Sequence, residues 1–187
     1  QAQSPYSASK IGAEAAAISY FSSFDVPVII PRVFNNYGPR QSERAIIANI
    51  ISQALVQEKA ISLGNINSTR DFVFVGDTCR ALCDLVKHSD KLLGKTINIG
   101  TGDHYSIREV AKKIFGIMGK ELSVIEDSGR MRPERSEVDN LQCDNSQLTR
   151  LIGKTSWTSL EAGLRETIEW KKLQPANVNS KAGKYVI

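Results

Sequence analysis

No stretch of the 187-residue chain approaches the roughly 18 consecutive apolar residues that a membrane-spanning helix needs. Its first residues lack the basic-then-apolar order of a signal peptide, so a cytoplasmic protein without a membrane partner is the expectation. Histidine and cysteine are scarce, with two and three residues. Cys79 and Cys83 share one helical stripe with Leu82 and Val86, where free cysteines act as small apolar residues, and His88 lies on the far side of that helix. Packing is therefore expected of these cysteines, and no metal site. Dense basic blocks with interleaved aromatics are also missing, which argues against a nucleic-acid surface. The formal charge of +4 and pI near 9.0 still admit an anionic partner, and a phosphorylated small molecule fits as well as a polymer or an acidic membrane. No internal repeat is visible. With 41% hydrophobic and 24% charged residues, the chain has the composition of an ordinary globular domain with its own core.

What is present is an alternation. Ser4 and Pro5 are the cap and first residue of a helix reaching about Phe24. The β-branched run VPVIIPRV, residues 26–33, is expected to be a buried strand ending in the loop NNYGPR. A helix over Glu43 to Gln57, a short strand at Ile61 to Leu63, a strand DFVFV from Asp71 and a helix capped by Asp77 follow. KTINIG (95–100) is a further strand, and Ser106 with Glu109 forms a capping box ahead of Val110, Ala111, Ile114 and Met118. LSVI at 122–125 is another strand, the stretch 126–137 is polar, and a last helix runs from about Ser159 to Lys172 with Thr158 and Glu161 as its box. The tail 174–187 has no periodicity and is expected to be loose. Strands alternating with helices predict an α/β fold with parallel pairing.

The chemistry-bearing pair lies in the first helix. Tyr6 and Lys10 are one turn apart, so the ammonium lies beside the phenol, and with the positive helix N-terminus it favours the phenolate. Such a tyrosine can serve as a general base, although a surface tyrosine beside a solvated lysine has the same spacing. Ala8, Ser9, Gly12, Ala13, Ala16 and Ala17 give the helix a smooth face that admits another helix or a flat ligand. Asn35 and Asn36 fall at the carboxyl end of a strand, where α/β folds bind ligands. Gly100-Thr101-Gly102 mimics the start of a dinucleotide fingerprint, but its third glycine position is Tyr105, so it is read as a plain turn. Arg70 precedes Asp71, and a simple ion pair between them is the alternative that would explain Arg70 without a ligand.

SPYSASKIGAE, RVFNNYGPRQ, GNINSTRDFVFVGDT, TINIGTG with SIREVAKKI, and RMRPERSEVDN with DNSQL together resemble the extended short-chain dehydrogenases, NAD-dependent enzymes that epimerise or dehydrate nucleotide sugars. RPERSEV is most similar to UDP-N-acetylglucosamine 4,6-dehydratases of the nonulosonic (legionaminic) acid type. The resemblance implies that residues 1–173 are a C-terminal portion, holding the end of a Rossmann-like parallel sheet interleaved with a smaller α/β substrate lobe. Tyr6 would take the proton of the sugar 4-hydroxyl as hydride leaves C4 for NAD, and Lys10 would hold the nicotinamide ribose, with the Val33 backbone beside the nicotinamide. Asn35, Arg44, Arg70 and Arg132 would meet the diphosphate of a UDP-linked substrate, Ile61 and Leu63 would line the uracil, and Asn98 would add a polar contact. The glycine-rich NAD motif and the residues that separate dehydratase from epimerase belong upstream of the tyrosine in this family. An isolated chain of this kind is expected to be inactive, and the parent enzyme to be a homodimer. A 4-epimerase, a non-catalytic nucleotide-sugar or partner-binding remnant, and a basic nucleic-acid-binding domain are the competing readings.

Overall fold

The computed structural model describes residues 2–131, 133, 136–153 and 156–174. Among these residues the order is α1 (Pro5–Phe24), β1 (Ile30–Val33), β2 (Asn35–Tyr37), α2 (Ile46–Val56), β3 (Ala60–Leu63), β4 (Thr69–Arg70), β5 (Phe72–Phe74), α3 (Val75–Lys87), β6 (Thr96–Ile99), β7 (Tyr105–Ser106), α4 (Ile107–Met118), β8 (Ser123–Glu126), β9 (Asn140–Leu141), α5 (Ser146–Ile152) and α6 (Leu160–Lys172). β1 pairs with β6, β2 with β5 and β3 with β8, all in parallel. β4 lies between β7, antiparallel, and β9, parallel. The α/β class with parallel pairing is what the alternation of patterns implied.

Two apolar clusters organise these elements, and their residues alternate along the chain. The larger gathers the inner faces of α2, α4 and α6 against β3, β5 and Tyr37, with Ile50, Val110, Ile114, Leu164 and Ile168 fully enclosed. The smaller joins Ala81 and Leu85 of α3 to Leu92, Ile97, Ile99 and Leu148. α4 forms where its local signals say: Ser106 accepts from the Glu109 N–H, Glu109 reaches back to the Ser106 N–H, and Gly119 closes the helix at φ 64°. α1 likewise begins on Ser4, whose hydroxyl accepts from the Ser7 N–H, with Pro5 first.

Several local expectations are corrected by packing. Of 26–33, only 30–33 is strand, and only Ile30 in it is buried. β6 is its one hydrogen-bonded strand neighbour among the described residues, so its other edge carries no ladder there. The helix expected from Glu43 starts at Ile46, because Ala45 is extended (φ −81°, ψ 143°) and Glu43 turns inward to meet Lys171 and Ser52. α3 starts at Val75 with no side-chain cap; Asp77 sits inside its first turn, fully buried, accepting from the Thr158 N–H (2.7 Å) and hydroxyl (2.8 Å). Ser159, rather than Thr158, therefore caps α6, and Glu161 pairs with Arg165.

The cysteine stripe is also corrected. Cys79 and Cys83 are exposed, Leu82 is 37% and Val86 69% exposed, and α3 buries the opposite face through Asp77, Thr78, Ala81 and Leu85. Both stripes have helical period; the position of β5 and of the Leu92–Ile99 cluster selects the second. β2, β4, β7, β9 and α5 have no counterpart in the sequence reading, being two to seven residues long. The tail from 175 onward lies outside the described residues. No helix among the described residues is long and apolar enough to cross a membrane.

Candidate functional site

The carboxyl end of β2, the approach to α2, the end of β3 and the β4–β5 junction surround a cavity of about 290 Å3. Its floor is built by hydrogen bonds that leave little freedom. The Asn35 backbone N–H and its side-chain Nδ2 both donate to the Asp71 carbonyl at 3.1 Å. Gln53 holds the other wall: its Nε2 donates to the Ser62 carbonyl (3.0 Å) and Asn49 Oδ1 (2.7 Å), and its Oε1 accepts from the Ser62 N–H (2.9 Å). Tyr37 closes the bottom, donating to the Leu160 carbonyl at 3.3 Å. Burial first, and then the Asp77 charge, raise the Tyr37 phenol well above its ordinary range, so it remains a protonated donor. α6 approaches this ring through Gly163, where a Cβ would stand 2.2 Å from the phenol oxygen.

Three arginines and one glutamate are the charged residues among the described ones that line the cavity: Arg44, Arg70, Arg130 and Glu137. Arg70 is largely covered; it donates to the Thr69 carbonyl (2.8 Å) and pairs with Glu137 at 3.2 Å. The Arg70–Asp71 pair that would have been the alternative to a ligand is not made. Arg130 pairs with Asp127 at 3.2 Å. Arg44 is exposed and has no carboxylate partner among the described residues. Behind it, Glu43 and the buried Lys171 form an ion pair at 2.5 Å that pins the turn carrying Arg44. A cavity with this excess of guanidinium forks suits an anion with several oxygens, such as a phosphate chain.

The residues singled out in the sequence divide into two groups. Asn35, Arg44, Leu63 and Arg70 line the cavity. Ile61 does not; it lies on the same buried face of β3 as Leu63 but two residues earlier, enclosed in the core short of the cavity at the strand's end. Asn98 also lies off the cavity wall, on β6 opposite Arg32, with Nδ2 3.5 Å from the Asp144 carbonyl. Arg132 lies outside the described residues. Arg130 and Glu137 line the cavity without having been singled out; they sit in the polar stretch 126–137, whose lack of periodicity hid them.

Tyr6 and Lys10 stand apart from the cavity lining, on α1. Lys10 Nζ is 5.4 Å from the Tyr6 ring centroid, and the ring is 71% exposed. An open phenol beside an ammonium offers hydrogen-bonding groups to a ligand from solvent. α1 is tied to β1 by a two-pronged ion pair between Arg32 and Glu14, with Nε–Oε1 at 2.7 Å, and these hydrogen bonds hold the Glu14 carboxyl below its usual range. Phe21 rests on the turn at Gly94, where φ is 71° and a Cβ would collide with the ring. Val33, at the end of β1, is 37% exposed. The Gly100–Gly102 segment is a turn, as read from its missing third glycine, with Gly102 at φ 86°.

Comparison with known proteins agrees with this arrangement. The family model described as GDP-mannose 4,6 dehydratase matches residues 1–167. The low-salt glycan biosynthesis protein Agl12 of Haloferax volcanii is 30% identical over 168 residues, which is 90% of this chain and 52% of that protein. The dTDP-glucose 4,6-dehydratase of Neisseria gonorrhoeae is 32% identical over 176 residues, 89% of this chain and 50% of its own length. The chain thus spans about half the length of the curated relatives it matches. Among solved structures, the UDP-glucuronic acid 4-epimerase of Bacillus cereus, in complex with UDP-glucuronic acid and NAD, superimposes with a TM-score of 0.84 at 27% identity, covering 93% of this chain and 55% of that one. The chain belongs to the GDP-mannose 4,6 dehydratase family of NAD-dependent nucleotide-sugar dehydratases and epimerases.

Proposed function

We propose that this chain carries the base-bearing helix and the nucleotide pocket of an NAD-dependent nucleotide-sugar 4,6-dehydratase, with a UDP-linked sugar as substrate. The observation that carries the reading is the cavity whose charged lining is three arginines against one glutamate. A diphosphate brings the complementary negative charge and oxygens in the spacing a guanidinium fork binds. In this reading Arg44 and Arg70 hold the phosphates together with Arg132 and its neighbour Arg130, Asn35 adds an amide, and Leu63 forms part of the nucleoside wall. Ile61 and Asn98, off the cavity wall, take no part.

Tyr6 accepts the proton of the sugar 4-hydroxyl, and Lys10 sets a positive charge beside its ring. NAD, when bound, supplies the hydride acceptor. The Val33 backbone, one residue before Phe34 and Asn35, would run between the nicotinamide end and the phosphate end. A 4-epimerase shares this proton transfer and is the second reading, in keeping with the likeness to the UDP-glucuronic acid 4-epimerase.

Calorimetric titration with UDP tests the pocket. Arg70→Ala and Arg44→Ala should each weaken binding by about 1.5 to 3 kcal/mol, the range for hydrogen bonds to charged groups. Unchanged affinity in both variants would sink the phosphate assignment, and binding of random-sequence DNA with a steep salt dependence but none of UDP would favour a nucleic-acid surface instead.

A further inference from the structure

We infer that Asp71 is a positioning residue for this pocket: its buried carboxylate fixes the point where one strand crosses between two sheets, and so holds Asn35 and Arg70 on the cavity wall. The inference rests on the reading of the cavity as a nucleotide diphosphate site.

β4 ends at Arg70 in the sheet β7-β4-β9, and β5 begins at Phe72 in the pair β2-β5. Asp71 is the one residue between them, so its backbone groups serve both. Its N–H donates to the Leu141 carbonyl (2.9 Å) at the end of β9, and its carbonyl accepts both N–H donors of Asn35, main chain and side chain. The ladders on its two sides belong to different sheets, so the strand could pivot at the junction between them. The carboxylate anchors that point. It is 0% exposed and accepts from the Thr101 N–H (3.1 Å) and hydroxyl (2.8 Å), the Gly102 N–H (2.9 Å) and the Cys143 N–H (3.3 Å).

No cation pairs with this carboxylate among the described residues, so the charge is held by dipoles alone, and a buried charge is tolerable only when its lone pairs are used in this way. Gly100 leaves the space: a Cβ there would stand 2.9 Å from Asp71 Oδ2 and 2.3 Å from Cys143 Cβ. Two segments distant in sequence therefore meet on one side chain, whose main chain holds Asn35 and is bonded directly to Arg70. Asp71 itself does not line the cavity.

The test pairs UDP calorimetry with the exchange rates of two side-chain amides read by NMR on the full chain. Asp71→Asn keeps the size but sets an NH2 against a backbone N–H; Thr101→Val removes one donor from a half-buried site and covers the case in which Asp71→Asn does not fold. We expect UDP affinity to fall by about tenfold in Asp71→Asn and about threefold in Thr101→Val, on the scale of one or two hydrogen bonds. Exchange of the Asn35 Nδ2 protons should quicken in both variants, while exchange of the Gln53 Nε2 protons on the opposite wall stays as in the wild type. If both amides quicken together, Asp71 only stabilises the fold, and the inference is overturned. It is equally overturned if a folded variant keeps wild-type affinity and wild-type Asn35 exchange. Failure of the wild type to bind UDP would remove the diphosphate reading; the contrast between Asn35 and Gln53 would then still decide for or against Asp71.

Discussion

Helices α1 and α4 have equally clear start signals and opposite fates. α4 buries Ile107, Val110, Ala111, Ile114 and Phe115 in the larger core. α1, although 20 residues long, buries none, and three of its four aromatic residues, Tyr6, Tyr20 and Phe24, are 57% to 71% exposed. A cap decides where a helix begins, whereas packing decides whether it contributes to a core. The contrast also separates the proposed labour of the chain. The phosphate pocket is built on the well-packed α2, α4 and α6 side, and the Tyr6–Lys10 pair rides on a helix held by an exposed ion pair and one phenylalanine.

The largest expected effect lies on the α1 side. In a full-length enzyme that includes this chain, Tyr6→Phe deletes only a hydroxyl and should slow turnover of the UDP-sugar by about 10²- to 10⁴-fold, the usual cost of losing a general base. UDP affinity should stay at its wild-type value, because the two regions are separate. Turnover within a few-fold of wild type would end the assignment of Tyr6 as base.

Glycine-to-alanine changes sharpen the comparison next. Gly163→Ala forces a methyl into the space beside the Tyr37 oxygen and Phe74, and overpacking of a core typically costs about 1 to 3 kcal/mol. Thermal melting should show a clear loss of stability. Gly12→Ala in α1 meets nothing within 4 Å, so it should stabilise the helix by about 0.5 to 1 kcal/mol through backbone entropy. A destabilising Gly12→Ala in the same melt would mean that this face of α1 is covered after all.

The smallest effect is expected at the Glu14–Arg32 fork, whose two side chains are 25% and 55% exposed. Glu14→Gln should cost at most about 1 kcal/mol, in the range of exposed pairs. Hydrogen bonds from Arg32 lower the Glu14 value from its ordinary 4.5, so the contribution is complete above that value and is lost as pH falls through the folded one. Amide exchange across α1 should therefore differ between wild type and Glu14→Gln at pH 7, and the difference should shrink toward pH 3. A gap that persists at low pH would show that the fork is not what ties α1 to β1.

Part of the cavity wall could be read in advance. RVFNNYGPRQ places Asn35 at a strand end by its own pattern, whereas Arg44, Leu63 and Arg70 are reached only through the resemblance of their segments to a known family. Glu137 and Arg130 were not legible, since a polar stretch without periodicity carries no signal of which side chains turn inward. The cysteine stripe of α3 shows the converse failure: Cys79, Leu82, Cys83 and Val86 have a convincing apolar period, but Ala81 and Leu85 provide a competing one, and only the neighbours of α3 choose between them.

The sequence by itself determined the features that depend on neighbours within a turn or two: the Ser4–Pro5 start of α1, the Ser106–Glu109 box of α4, the α/β alternation and the juxtaposition of Tyr6 with Lys10. Tertiary structure decided everything that depends on partners far along the chain. Asp71 meets Asn35 across 36 residues and Cys143 across 72, Asp77 meets Thr158 across 81, and Tyr37 meets Leu160 across 123. In each case several polar groups compete for the same donor or acceptor, and local propensity is blind to which of them folding brings within 3 Å. Arg70 therefore pairs with Glu137 instead of its neighbour, leaving the Asp71 carboxylate to the N–H groups of two distant segments.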